Sequence, residues 1–76
     1  MEEKIMRLLA EACGVERDEL EPDIDMFEEG LLDSFGMISF LVSLESGLSI
    51  KIEPTEIERD EIKTPELFLN YVLKRC

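Results

Sequence analysis

The chain has 76 residues, 8 basic and 19 acidic side chains, no histidine and a net charge of −11. That length implies one small domain, residues 1–76, with an economical core, and that charge excludes nucleic acid and anionic membrane as partners while favouring a monomer and proteins with basic surfaces. Two distant cysteines, Cys13 and Cys76, with no basic and apolar leader and no membrane-spanning run, read as a reduced, cytoplasmic protein with no membrane insertion.

Ile5, Leu8, Leu9 and Ala12 repeat at i, i+3, i+4 and i+7, predicting a first helix over about Glu2 to Ala12 that stops at Gly14. Cys13, beside that stripe, reads as a small buried hydrophobe. Cys76 reads as an exposed thiol without a role, its pairing with Cys13 left open. A long acidic loop follows over residues 15 to 33, with one turn near Arg17 to Leu20 and with Ile24, Met26, Phe27, Leu31 and Leu32 as core anchors. Asp23-Ile24-Asp25 hints at calcium, but an EF-hand loop would need a ligand at Phe27 and a glycine at Glu28.

The second helix is expected over Ser34 to Ser46, with Gly47 as its stop. At about 100° per residue, Met37, Phe40, Leu41 and Leu44 form a core stripe. Phe35, Ile38 and Val42 share the other side with Ser34 and Glu45, and a glutamate is rarely buried unpaired. Those three hydrophobes are therefore expected to face solvent, as a partner surface, the alternative being that they pack against the acidic loop. Leu48, Ile50 and Ile52 read as an extended linker whose isoleucines plug the core. Thr55 and Glu58 have capping-box spacing and predict a short third helix ending near Asp60. Thr64, Pro65 and Glu66 start the last helix, expected to bury Leu67, Phe68, Tyr71 and Val72. The fold class is all-α, three main helices and one short one.

Catalytic machinery is hard to assemble from these residues. There is no histidine, no glycine-rich phosphate loop and no Cys/His metal spacing, and Asp33 beside Ser34 lacks the third group that would make a base and nucleophile pair. The chain is expected not to be an enzyme. Ser34 itself stands where loop becomes helix, which has two readings. Its hydroxyl caps the helix, or it carries a phosphoryl-linked group favoured by the N-terminal dipole.

The segment Leu32-Asp33-Ser34-Phe35-Gly36, opening an apolar helix in an acidic chain of this length, resembles the acyl carrier protein superfamily. With Phe27-Glu28-Glu29-Gly30-Leu31-Leu32 and Pro54-Thr55-Glu56-Ile57-Glu58-Arg59-Asp60 before Thr64-Pro65, it is most similar to the D-alanyl carrier proteins of teichoic acid D-alanylation. It departs from them in having aliphatic Ile57 and Ile62 where they carry aromatic residues. The resemblance implies a small carrier-type helical bundle with 4′-phosphopantetheine on Ser34. It further implies Asp33 in the recognition motif of a phosphopantetheinyl transferase, loading by an adenylating D-alanine ligase, and delivery to a membrane acyltransferase. Phe35, Ile38 and Val42 match the family's partner-facing positions. A carrier for another acyl or aminoacyl group, of fatty-acid, polyketide or nonribosomal peptide type, remains an alternative, and so does a non-catalytic acidic helical interaction module.

Overall fold

The helices expected at both ends and in the middle of the chain are present in a computed structural model, which describes residues 1–75. The expectations for Cys76 lie outside the described residues. Helix α1 spans Glu2–Cys13 and ends where Gly14 turns left-handed at φ 73°, its N–H bonding back to the last turn. Helix α2 spans Ser34–Leu48, and helix α3 spans Pro65–Leu73. Single 3-10 turns over Arg17–Glu19, Pro54–Glu56 and Arg59–Glu61 complete the elements, with no strand among the described residues.

One core holds these pieces together. α1 packs against both other helices, inserting Ile5 and Leu9, which are fully buried. α2 and α3 meet through Phe40 and Phe68, whose rings lie edge to face with centroids 4.7 Å apart. The long loop is not loose. Met26, fully buried, donates its N–H to the Lys63 carbonyl at 2.7 Å, while its own carbonyl accepts from Leu31 and Leu32 at 2.8 and 3.0 Å. A second strap runs from the Glu66 N–H to the Pro22 carbonyl at 3.1 Å. The loop thus satisfies its backbone against the start of α3 and delivers residue 33 to the head of α2.

Four local expectations change. α2 runs past Gly47, because Ser49 takes the left-handed stop at φ 59° and the two extra residues lay half-buried Leu48 against the core. The short third helix becomes the turns Pro54–Glu56 and Arg59–Glu61, separated by extended Ile57. Ile57 and Ile62 both pack on the core, and a spacing of five fits no single helical face. The capping interaction there is Glu61 Oε1 accepting from the Glu58 N–H at 3.2 Å, not one between Thr55 and Glu58. In α3 the buried stripe is Pro65, Phe68 and Val72, which leaves Leu67 39 % exposed and Tyr71 half-buried. The Tyr71 hydroxyl donates to the Glu56 carbonyl at 3.4 Å, and Arg75 pairs with the Glu56 carboxylate at 2.8 Å.

Helix α2 begins on Asp33. Its Oδ1 accepts the Gly36 N–H at 2.7 Å, so Asp33 is the N-cap and Ser34 the first helical residue. Gly36 is buried there for a packing reason. A Cβ on it would stand 3.1 Å from the Leu32 side chain, 3.2 Å from the Ala12 carbonyl oxygen and 3.3 Å from Asp33 Oδ1.

Four stability outcomes follow, read from urea unfolding midpoints of the unmodified chain. Asp33→Ala is expected to lose about 1 kcal/mol, and Ser34→Ala to stay within about 0.5 kcal/mol of wild type; the opposite ranking would return the cap to Ser34. Gly47, with nothing within 4 Å of its notional Cβ, is expected to gain about 1 kcal/mol as Gly47→Ala. Gly36→Ala is expected to be destabilising, because overpacking of about 1–3 kcal/mol exceeds the propensity gain.

Candidate functional site

The first turn of any helix leaves N–H groups without intrahelical partners, and the local dipole favours negative charge there. At α2, Asp33 satisfies the Gly36 N–H and its carbonyl accepts from Met37 at 2.8 Å. Ser34 is exposed, and its hydroxyl makes no hydrogen bond among the described residues. Of the two sequence readings, capping is therefore excluded. What remains is an accessible, unengaged hydroxyl at a dipole-positive helix start.

The helix behind it is apolar on two sides. Phe40 and Leu44 are fully buried and Leu41 nearly so, while Phe35 is 80 %, Val42 61 % and Ile38 47 % exposed. This is the division expected from Glu45, which is itself exposed. Met37 alone is intermediate, half-buried against the core. Three large hydrophobes thus stand on the solvent side of the helix that begins at Ser34, with Ser39 and Ser46 exposed beside them.

On the other flank of Ser34 lies a cleft of about 380 Å³, lined by Phe27, Leu32, Ser34, Met37, Ile57 and Arg59 among others. The Arg59 guanidinium sits 4.5 Å from the centroid of the Phe27 ring. Sequence reasoning placed Phe27 correctly as a core anchor but gave no site role to Arg59 or Ile57. No spacing links residues 27, 34 and 59, since their segments are brought together by tertiary contacts such as the Met26 to Lys63 backbone bond.

One acid of the loop serves its shape. Asp25 Oδ1 accepts from the N–H groups of Phe27 and Glu28 at 3.1 and 3.0 Å, a local Asx turn that fixes the approach to Gly30. Cys13 is unsuited to chemistry. Its thiol lies 3.9 Å from the Met26 sulfur, and burial raises its pKa to about 11, so it stays protonated. Among the described residues no helix is long and apolar enough to cross a membrane.

Comparison with known proteins identifies the family. The family model described as a phosphopantetheine attachment site matches residues 3–72. The D-alanyl carrier protein of Bacillus velezensis is 43% identical over 68 residues, covering 90% of this chain and 87% of that protein. That of Abiotrophia defectiva is 41% identical over 75 residues, covering 99% and 95%, and that of Bacillus licheniformis 40% over 73 residues, covering 96% and 88%. The all-α architecture, the free hydroxyl at the head of α2 and a match spanning nearly the whole chain agree, and the chain belongs to the phosphopantetheine-attachment family, on its D-alanyl carrier protein branch.

Proposed function

We propose that Ser34 is the residue that bears 4′-phosphopantetheine and that the chain carries D-alanine for the D-alanylation of teichoic acid. The observation that carries this is the division of labour at the head of α2: Asp33 caps, so the Ser34 hydroxyl is exposed and unengaged. The residues present fit a phosphoryl-linked group there, because first-turn N–H groups and the helix dipole favour the negative charge of a phosphodiester. When bound, the group supplies a terminal thiol on a long flexible arm, able to hold an aminoacyl group as a thioester.

In this reading the chain makes and breaks no bonds on its own account. Ser34 Oγ forms the new P–O bond of the phosphodiester and gives up its proton to the transferase, the adenosine bisphosphate half of coenzyme A leaving. Asp33 keeps the helix start rigid through its bond to Gly36 and belongs to the surface that the phosphopantetheinyl transferase recognises. Phe35, Ile38 and Val42 are the docking residues for that transferase, for the adenylating D-alanine ligase and for the membrane acyltransferase. Burial of such exposed hydrophobes supplies affinity. Glu45 is the lone charge on α2, which favours partners that bind it through apolar contacts over those that read an acidic helix. Names of the relatives support D-alanine as cargo, while the loading enzyme rather than this chain decides it. The chain works as a cytoplasmic monomer in this scheme.

Incubation with coenzyme A and a broad-specificity transferase is expected to add one phosphopantetheine by intact mass, and Ser34→Ala to add none. An unchanged wild-type mass under conditions that prime a control carrier would contradict the proposal. For docking, Val42→Asp on the primed chain is expected to raise the KM for D-alanine loading by the ligase about tenfold, equivalent to about 1.4 kcal/mol, with an unchanged circular dichroism spectrum. An unaltered KM would take Val42 out of the docking surface.

A further inference from the structure

The cleft beside Ser34 holds one feature that attachment alone does not use. Of the four arginines, Arg7 and Arg17 pair with Glu3 at 3.9 and 2.9 Å and Arg75 pairs with Glu56 at 2.8 Å. Arg59 has no carboxylate partner among the described residues and rests on the Phe27 ring instead. In a chain with 19 acids and 8 bases, an exposed arginine left without an acid is unusual, and Arg59 is the cation among the residues that line the cleft with Ser34.

We propose that Arg59 is a positioning residue for the prosthetic arm: its guanidinium pairs with the phosphodiester on Ser34 and directs the arm along the wall formed by Phe27 and Ile57. This rests on Ser34 being the attachment point. A phosphodiester there adds a negative charge directly beside Asp33 and downstream of the loop acids Glu28 and Glu29. The helix dipole offsets part of that repulsion, and a guanidinium is well suited to the rest, since its forked donors match two phosphoryl oxygens. The ring contact holds the guanidinium against Phe27, which also lines the cleft, so less rotamer freedom remains to be lost when it pairs. Apart from Asp33, the helix cap, and Gly30, the rest of the lining is apolar; Phe27, Leu32, Met37, Ile57 and Ile62 suit the paired methyl groups next to the phosphate end of the arm.

The test uses the primed chain. In the wild type, NOEs are expected from the arm's paired methyl groups to the Phe27 ring and the Ile57 methyls, together with a 31P resonance displaced from that of the same arm on a short unfolded peptide. Arg59→Gln is expected to abolish the NOEs and to move the 31P resonance to the peptide value, while Lys51→Gln, which removes a cation outside this cleft, leaves both as in wild type. Absence of the NOEs in wild type, their persistence in Arg59→Gln, or movement of the 31P resonance to the peptide value in Lys51→Gln as well would each overturn the proposal. Priming of Arg59→Gln by intact mass separates this from the attachment itself: a chain that fails to prime in wild type refutes the attachment at Ser34, whereas a chain that primes with an arm indifferent to Arg59 refutes only the pairing.

Discussion

The hydrogen bond from the Gly36 N–H to Asp33 Oδ1, 2.7 Å long, is the contact on which the site depends. Every helix start needs an acceptor for its orphan donors, and a serine at this boundary would ordinarily supply one. Here the preceding aspartate does so, with an acceptor that is charged and hence stronger. The serine is thereby moved inside the helix, with its backbone fixed and its hydroxyl unoccupied. Gly36 makes the arrangement possible, since any side chain at that position would meet the cap itself and the carbonyl of Ala12 on α1. Cap, serine and the end of α1 are locked as one unit.

Behind that unit the chain separates its acid from its apolar surface. Nine acids and one base lie between residues 16 and 33, while residues 34 to 50 contain only Glu45. Charge of this magnitude works against a compact state through self-repulsion, and a small core has little to spare. Met26 meets that constraint by joining the acidic loop to the segment before α3 through its backbone and by filling the core with its side chain. The consequence for recognition is a nearly uncharged helix framed by an acidic approach. In the proposed docking, long-range attraction comes from the loop and close contact from Phe35, Ile38 and Val42.

Much of this was legible from residue periodicity alone. The two sides of α2 separate because a single glutamate, Glu45, identifies the wet one, and helix ends at Gly14 and Thr64-Pro65 follow from local capping chemistry. Three features were less accessible. Ser34 and Asp33 are both good N-caps, and a sequence cannot choose between adjacent candidates when the choice depends on where Gly36 packs. The segment from Pro54 to Glu61 has helical capping patterns, yet Ile57 and Ile62 each need the core, and tertiary packing overrides the local preference for a helix. The meeting of Phe27, Ser34 and Arg59 arises from backbone bonds between distant loops, which leave no trace in spacing.

The most direct measurement is fragmentation mass spectrometry of the primed chain after proteolysis, locating the added mass to a residue. The expected result places all of it on Ser34, with none on the exposed Ser39, Ser46 or Ser49 of the same region. Modification at any of those serines, with Ser34 unmodified, would contradict the claim that capping by Asp33 is what makes Ser34 the available hydroxyl.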